Sequence, residues 1–240
     1  MNSTSIIDTT VVILSAGHGT RMLSLTENTP KPLLKVGNLS LIEHHLIRLK
    51  TIGFQHIIIN IAYLGDKIRN TLGNGSKYGL NITYSDEADT GALETAGGIK
   101  AALPLIKSDP FIVINADIWT DYNFSSLLDY PLDGDACLVM VKNPEHNSNG
   151  DFGLSTDQGK QLGLLNASEN NRHTYSGIGL YSKPMFQKIN SGKHALGPLL
   201  RALCKKNKIS GTVHQGVWKD IGTPERLEEI KQNYQLSIKS

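Results

Sequence analysis

The sequence has few cysteines, almost no excess of charge and no long apolar run. Its two cysteines, Cys137 and Cys204, lie in unlike contexts without a Cys-x-x-Cys motif. A zinc or redox motif is therefore not indicated, and we expect two buried, reduced thiols. Lys and Arg total 24 against 22 for Asp and Glu, a net charge of +2. So small an excess predicts no nucleic-acid partner.

The amino terminus and the apolar runs also exclude a membrane protein. The opening MNSTSIIDTT has no basic region before an apolar core, and later apolar runs are short. Neither a signal peptide nor a membrane span is predicted, so we expect a cytoplasmic protein without a membrane partner. The 240 residues have 39% hydrophobic content and no linker or repeat. We predict one domain over residues 1–240.

Short Val- and Ile-rich runs alternate with helical patterns along the first part of the chain. One predicted helix has Ser40 as N-cap and Gly53 as stop, and its adjacent His44 and His45 are expected at the surface or its boundary. Apolar strands that alternate with helices are typical of parallel sheets covered on both faces. We predict an α/β fold, a Rossmann-like mixed and mainly parallel sheet with helices on both faces. The predicted strands are 10–15, 56–62, 80–85, 110–116 and 136–142.

The amino-acid composition changes after residue 143, where the chain becomes polar and rich in glycine. We predict loops and antiparallel strands that extend the main sheet. The carboxyl-terminal segment predicts a helix with Thr223 as N-cap and Pro224 as its first residue. The predicted buried stripe of this helix consists of Leu227, Ile230 and Tyr234.

The segment LSAGHGTR follows the first predicted strand, where open α/β sheets bind ligands. Gly17 and Gly19 lack a Cβ atom, so they can adopt positive φ and let backbone N–H groups reach phosphate oxygens. The dinucleotide motif G-x-G-x-x-G fails because Met22 stands at its third glycine, and no Walker A motif occurs. A plain turn remains an alternative. Arg21 favours phosphate, to which a guanidinium can form paired hydrogen bonds.

A second basic residue lies in the stiff segment TPKPL. Pro30 and Pro32 flank Lys31 and push the preceding residues towards extended conformations. A lysine on so rigid a segment loses little entropy when it binds a phosphate. An ordinary proline turn with an exposed lysine is the alternative.

Two aspartates follow strand-like runs far apart in the sequence. Asp117 follows the run 110–116, and Asp220 precedes the last predicted helix. A helix N-cap is the alternative for Asp117, but Asp121 is the better cap candidate. Two carboxylates about 4 Å apart repel by about 4 kcal/mol at an effective dielectric of 20. Mg²⁺ reverses that sign, so we hypothesise a magnesium site, although spacing alone does not bring the two together.

The motifs LSAGHGTRM, TPKPL, INAD and WKDIGTPERL occur in an order that resembles the sugar-1-phosphate nucleotidyltransferases over almost the whole chain. Within that family, NIAYLGDKI, LETAGGIKAALPLI, GDFGL and YSGIGLYS are most similar to the uridylyltransferases that act on N-acetylmuramic acid 1-phosphate. Mannose-1-phosphate guanylyltransferases are near neighbours. The resemblance implies the nucleotide-diphospho-sugar transferase fold, with a nucleotide-binding part of about 1–118 and a sugar-binding part of about 119–240.

The resemblance also implies roles for single residues. It assigns Arg21 and Lys31 to catalysis, and Asp117 and Asp220 to Mg²⁺. The implied nucleotide-binding residues are Leu14, Ala16, Gly17, Gly19, Thr20, Arg21, Asn60, Glu94, Thr95 and Gly97. The implied sugar-binding residues are Asn115, Gly153, Glu169, Ser176 and Gly177.

The implied reaction transfers a nucleoside monophosphate from a nucleoside triphosphate to a sugar 1-phosphate and releases pyrophosphate. UTP and N-acetylmuramic acid 1-phosphate are the expected substrates, in peptidoglycan recycling, with a monomer or homodimer as the working unit. Mannose-1-phosphate guanylyl transfer and glucose-1-phosphate thymidylyl or uridylyl transfer are alternatives. A catalytically inactive, nucleotide-sugar-binding regulatory subunit is an alternative of another class.

Overall fold

The computed structural model describes residues 5–89, 91–156, 161–167 and 171–239. The strands are β1 (Thr10–Leu14), β2 (Lys35–Val36), β3 (Leu39–Ser40), β4 (His56–Ile61), β5 (Asn81–Asp86), β6 (Phe111–Asn115), β7 (Ile118–Thr120), β8 (Ala136–Val141), β9 (Phe152–Ser155), β10 (Leu162–Asn166), β11 (Arg172–Tyr181), β12 (Ile209–His214) and β13 (Trp218–Asp220). The α-helices are α1 (Leu41–Ile52), α2 (Gly65–Leu72), α3 (Glu94–Ala102), α4 (Lys183–Gln187), α5 (Leu196–Cys204) and α6 (Pro224–Lys239).

Nine of these strands form one mixed sheet, in the order β5-β4-β1-β6-β11-β8-β12-β10-β9. The strands β5, β4, β1 and β6 run parallel to one another. Because β4 and β6 lie on opposite sides of β1, the chain switches direction across the sheet there. Ligands of open α/β sheets bind at such a switch point, beyond the carboxyl ends of the strands.

The core lies on both faces of the sheet, which is why the central strands β1, β4, β6 and β8 are largely apolar. Val11 and Ile13 of β1 pack on one face with residues of α1, whereas Val12 packs on the other with residues of α3 and α5. Successive side chains of a strand point to opposite faces, so a strand covered on both sides needs a continuous apolar run. The predicted α/β fold is confirmed.

The second half of the sheet is mostly antiparallel. β11 runs antiparallel to both β6 and β8, and its first residues also pair with β9. β10 is antiparallel to β9 and β12, whereas β12 is parallel to β8. The strands predicted after residue 143 are therefore present, and they continue the main sheet.

Several predicted helix ends agree with the structure. The Ser40 side chain and Glu43 form a capping box at α1, and Gly53 ends that helix in the left-handed conformation. The helix α6 begins at Pro224, and its buried stripe packs on a third core cluster, in which Leu227 and Ile230 are buried and Tyr234 is partly buried.

Two expectations for the first half are wrong. Asp121 does not cap a helix, because Asn123 accepts the hydrogen bond of the Ser125 amide at 3.2 Å and caps the 3-10 helix Phe124–Asp129. His45 is buried, 4% exposed, and packs against Phe124 instead of lying at the surface. Burial lowers the pKa of His45 from 6.5 to about 4.

The remaining expectations concern thiols and membranes. Cys137 and Cys204 are free and buried, as predicted. No helix within the described part of the chain has the length and apolar character that a bilayer crossing requires.

Candidate active site

A cleft of about 380 Å³ opens beyond the carboxyl ends of β1 and β6. Leu14, the last residue of β1, is in register with Asn60 of β4 and Asn115 of β6, so these strand ends share one edge. The cleft collects most of the residues to which the resemblance gave nucleotide or catalytic roles. Its lining consists of Leu14, Ser15, Ala16, Gly17, Gly19, Thr20, Arg21, Lys31, Pro32, Asn60, Glu87, Ala92, Glu94, Thr95, Asn115, Ala116, Asp117 and Gly222.

The glycine loop uses its two glycines differently. Gly19 has a φ of 66°, and a Cβ atom there would lie 3.2 Å from Cβ of Lys31 and Cγ2 of Thr26. Glycine at this position therefore lets the loop close onto Lys31. Gly17 does not have a positive φ, and a Cβ atom there would contact nothing within 4 Å. Its missing side chain leaves open space in the cleft.

Lys31 is buried and paired, in contrast to the exposed lysine of an ordinary proline turn. Pro30 is extended, but Lys31, which was expected to be extended because Pro32 follows it, begins a short 3-10 helix. The Lys31 side chain is 9% exposed, and its Nζ lies 2.5 Å from Oδ2 of Asp117. The carboxylate at the end of β6 thus holds the ammonium in the cleft.

Arg21 provides a second cation at the cleft. It is exposed, lines the cleft, and its guanidinium has no hydrogen bond or ion pair with any described residue. A Cβ atom on Gly222 would lie 3.4 Å from Nη1 of Arg21 and 3.0 Å from Oδ2 of Asp220. Both side chains therefore flank Gly222 at the edge of the cleft.

The strands β7 and β13 bring the two predicted metal ligands together along the backbone. They pair antiparallel, with Asp220 in register with Ile118, the residue after Asp117. The Ile221 amide donates to the Asp117 carbonyl at 2.8 Å. Asp117 lines the cleft, whereas Asp220 lies beside it and pairs with Arg226 and with Nε2 of His146 at 3.0 Å.

The two carboxylates could hold a divalent cation only together with further ligands from a substrate. Each carboxylate contacts cationic or potentially cationic side chains, Lys31 for Asp117 and both Arg226 and His146 for Asp220. No cluster of three or more His, Cys, Asp or Glu side chains in the described ranges could hold a metal by itself. Mg²⁺ is usually held by one or two carboxylates together with substrate phosphates.

Glu87 is a cleft residue that the sequence analysis missed. Its carboxylate is buried, accepts from Nδ2 of Asn60 at 2.8 Å and accepts from the Leu93 amide at 2.9 Å. Burial raises the pKa of Glu87. A Cβ atom on Gly98 would lie 2.7 Å from this carboxylate, so glycine is needed there. In the sequence, its position shortly after a predicted strand is the feature that indicates a site residue.

The hydrogen bonds of Glu87 and Asn60 hold the segment before α3 in place, and the backbone is strained where this helix begins. The Asn60 Oδ1 atom also accepts from the Ser15 amide at 2.6 Å, which ties the glycine loop to β4. Glu94 begins α3 with a φ of 60°, in the left-handed region that non-glycine residues rarely adopt. Such strain occurs preferentially at ligand sites.

A second cavity of about 500 Å³, here called the outer pocket, shares Glu94, Thr95 and Asn115 with the cleft. It is lined by Glu94, Thr95, Asn115, Asp151, Phe152, Tyr175, Ala195, Leu196, Gly197, Leu200 and Arg201. Of the predicted sugar-binding residues, Asn115 therefore lines both spaces. The two spaces adjoin at these shared residues, and together they are here called the groove.

Other predicted residues lie behind the groove. Gly97 is buried, and a Cβ atom there would lie 2.3 Å from the Gly192 carbonyl, so it does not line the cleft. Gly177 backs Asn115, whose Nδ2 would lie 2.6 Å from a Cβ atom. Ser176 is fully buried and Gly153 is in β9. Glu169 lies outside the described residues.

Comparison with known proteins decides the family. The nucleotidyl transferase family matches residues 10–237. The chain belongs to this family. It is 46% identical to N-acetylmuramate alpha-1-phosphate uridylyltransferase of Neisseria meningitidis, over 92% of this chain and 96% of that one. The protein of the same name from Caulobacter vibrioides is 32% identical, over 89% and 92% of the two chains. The predicted sugar-1-phosphate nucleotidyltransferase is confirmed.

Other relatives of this nucleotidyltransferase share a lower sequence identity with it. A mannose-1-phosphate guanylyltransferase of Mycobacterium tuberculosis is 28% identical, over 89% of this chain but 61% of that one. Among solved structures, a Bacillus anthracis protein crystallised with sucrose superposes with a TM-score of 0.78 at 19% identity, covering 95% of each chain. HddC of Yersinia pseudotuberculosis superposes with a TM-score of 0.75 at 24% identity, covering 94% of this chain and 99% of that one. These structures confirm the nucleotide-diphospho-sugar transferase fold.

Proposed function

We propose that this nucleotidyltransferase transfers the uridylyl group of UTP to N-acetylmuramic acid 1-phosphate. The products are the UDP-sugar and pyrophosphate, and the proposed role is peptidoglycan recycling in the cytoplasm, as a monomer or homodimer. The observation that carries the reaction type is the cleft at the switch point, which places an open glycine loop, Arg21 and the Lys31–Asp117 pair around one space. The two uridylyltransferase relatives support the choice of substrates.

The division of labour follows the two connected spaces. We assign nucleotide binding to about 1–118, where Leu14, Ala16, Asn60, Glu94 and Thr95 line the cleft. The sugar is assigned to about 119–240, which supplies most of the outer pocket. Asn115 borders both spaces, where the reacting phosphates of the two substrates have to meet.

The reaction needs no covalent intermediate on the protein. An oxygen of the sugar phosphate attacks the α-phosphorus of UTP, and the bond from that phosphorus to the β-phosphate oxygen breaks. The nucleophile is already an anion, so the barriers are repulsion between two polyanions and the entropy of aligning them. The backbone of the glycine loop and the unpaired Arg21 guanidinium neutralise charge on the leaving pyrophosphate.

Lys31 is proposed to act on the reacting phosphates from the other side of the cleft. Its buried ammonium is held at one place by Asp117, so little entropy is lost when a phosphate oxygen binds. Asp117 and Asp220 would hold Mg²⁺, which neutralises charge on the α-phosphate and the incoming phosphate when bound.

A substrate matrix tests this proposal. UTP, GTP, dTTP and CTP are each combined with the 1-phosphates of N-acetylmuramic acid, mannose, glucose and N-acetylglucosamine, and pyrophosphate release is measured. We expect one dominant pair, UTP with N-acetylmuramic acid 1-phosphate. Dominant turnover of GTP with mannose 1-phosphate would assign the guanylyltransferase function instead. Absence of pyrophosphate in all sixteen combinations would favour an inactive regulatory subunit.

A further inference from the structure

The outer pocket contains a cation that the reaction described above does not use. Arg201 lies on α5, and its guanidinium folds back over Gly197, with Nη1 and Nη2 3.4 and 3.5 Å from a Cβ position on that residue. Among the described residues that line the pocket, Arg201 alone is basic. Its backbone carbonyl accepts from the Lys205 amide at 3.3 Å, but its guanidinium makes no hydrogen bond or ion pair with the described residues. Within that part of the chain, the guanidinium is available to a ligand in the pocket.

Two acidic residues, Glu94 and Asp151, also line the outer pocket, and neither forms an ion pair with Arg201. Asp151 accepts from the Tyr175 amide at 2.8 Å through Oδ2 and from Nδ2 of Asn147 at 3.2 Å through Oδ1. Both of its oxygens are thus engaged in holding the loop before β9. Phe152, Leu196 and Leu200 give the pocket apolar walls beside the single guanidinium. The pocket suits a ligand that has apolar groups and one anionic group.

This inference rests on the proposed function. The phosphate of the sugar substrate has to reach the cleft near Lys31 and Asp117, so the sugar ring extends through Asn115 into the outer pocket. A neutral hexose brings no anion to Arg201. N-acetylmuramic acid differs from N-acetylglucosamine by a lactyl ether that ends in a carboxylate, and a guanidinium binds carboxylates through two parallel hydrogen bonds.

We propose that Arg201 determines the sugar specificity by binding the carboxylate substituent of the sugar 1-phosphate. The apolar walls formed by Phe152, Leu196 and Leu200 would contact the methyl groups of the acetamido and lactyl substituents. Arg201 is exposed and lies on the solvent side of α5, so its replacement leaves the core of the fold untouched.

The test compares two substrates that differ only in the lactyl group, N-acetylmuramic acid 1-phosphate and N-acetylglucosamine 1-phosphate. Steady-state kcat and KM with UTP are measured for the wild type, Arg201→Ala and Arg201→Lys. Lys206→Ala, an exposed lysine two residues beyond the same helix, is the matched control. We expect Arg201→Ala to raise KM for the carboxylate-bearing substrate by about 10- to 100-fold, as for a lost charge-assisted hydrogen bond.

The remaining variants and substrates should separate the effect of the positive charge from that of the planar guanidinium. Arg201→Lys keeps the charge but loses the planar fork, so an intermediate rise is expected. KM for N-acetylglucosamine 1-phosphate, the thermal midpoint of every variant and both KM values of Lys206→Ala should stay unchanged. An N-acetylmuramic acid 1-phosphate whose carboxyl is converted to an amide should lose its advantage in the wild type and show no further loss in Arg201→Ala.

Each failure has a distinct meaning. If the wild type does not discriminate between the two sugar phosphates, both the proposed substrate and the role of Arg201 are wrong. If the wild type discriminates and Arg201→Ala discriminates equally, only the inference about Arg201 fails. A rise of KM for both substrates alike would mean that Arg201 contacts the phosphate or shapes the pocket, which also overturns the inference.

Discussion

The two halves of the groove are built by different means. In the parallel half, most cleft residues lie at the ends of β1, β4 and β6 or in the segments that follow β1, β5 and β6, while Gly222 comes from the segment after β13. In the antiparallel half, the outer pocket combines the loop before β9 with β11 and α5. The parallel half thus carries its site in contiguous motifs, whereas the antiparallel half assembles its site from segments far apart in the chain.

Substitutions in the two halves should therefore have different effects, on the chemical step in the parallel half and on sugar specificity in the antiparallel half. In the proposed reaction, the cleft would bind the phosphates, which every substrate of the family shares. The outer pocket would bind the part of the substrate that differs between sugars. Changes in the cleft should therefore reduce turnover with every sugar 1-phosphate, and changes in the outer pocket should alter their ranking.

The largest effect is expected for Asp117→Asn. Loss of a metal-binding charge at the reacting phosphates should reduce kcat on the order of 10³-fold for every sugar 1-phosphate. The buried Lys31 also loses its partner, so the thermal midpoint should fall while the far-ultraviolet circular dichroism is retained. Asp121→Asn is the control, since Asp121 is exposed, pairs with His214 at 2.8 Å and does not line the cleft. Near-normal turnover of Asp117→Asn would refute the metal assignment.

The next effect concerns Arg21→Ala. An exposed guanidinium without a partner among the described residues should cost little stability when removed, but kcat should fall by about 10²-fold as for other preorganised charge donors. The surface residue Arg69, which pairs with Asp86 at 2.9 Å, provides the matched Arg→Ala control. A change confined to KM would show that Arg21 binds only ground-state substrate.

A smaller effect should distinguish two glycines of the parallel half. Gly17→Ala adds a methyl group into open space, so the thermal midpoint should stay constant while KM for the nucleotide rises about tenfold through contact with phosphate. Gly98→Ala instead places a methyl group against buried Glu87 and Asn60 and should cost about 1–3 kcal/mol of stability. Equal nucleotide affinity of Gly17→Ala and the wild type would argue against the phosphate cradle.

The smallest effect on activity is expected for substitution of His45, which should instead change how stability depends on pH. Its pKa is lowered to about 4 in the fold from 6.5, so its stabilising contribution is complete above pH 6.5 and is lost as the pH falls towards 4. The difference corresponds to about 3 kcal/mol. The free energy of unfolding, measured by urea denaturation between pH 7 and 4, should fall less steeply in His45→Gln than in the wild type. An unchanged slope would contradict the burial of a neutral imidazole.

Much of the parallel half could be predicted from the sequence because its signals are local. Gly19, Arg21, Lys31 and Asp117 stand in short motifs next to apolar strands, and strand ends of a parallel sheet meet at one edge. The roles of these residues stay predictions until they are tested. Glu87 was missed because a buried carboxylate looks like any loop acid until Asn60 and the Leu93 amide are placed beside it.

The antiparallel half could be predicted less well because its contacts are set by tertiary packing. The resemblance assigns Gly177 to the sugar, yet in the structure Gly177 packs against Asn115 and lies outside the outer pocket. Arg201 follows an apolar stretch of α5 and carries no motif, so only the fold brings it to the groove. Asp220 pairs with Arg226 and His146, and these two partners likewise belong to separate elements.

The most direct test of the central claim is a double-mutant cycle on Asp117→Asn and Asp220→Asn. The measured quantity is the Mg²⁺ concentration that gives half-maximal pyrophosphate release, for the wild type, both single variants and the double variant. If both carboxylates hold one ion facing the glycine loop, each single substitution should raise this concentration and the double variant should add little further. Independent, fully additive effects, or no dependence on Asp220, would contradict the account.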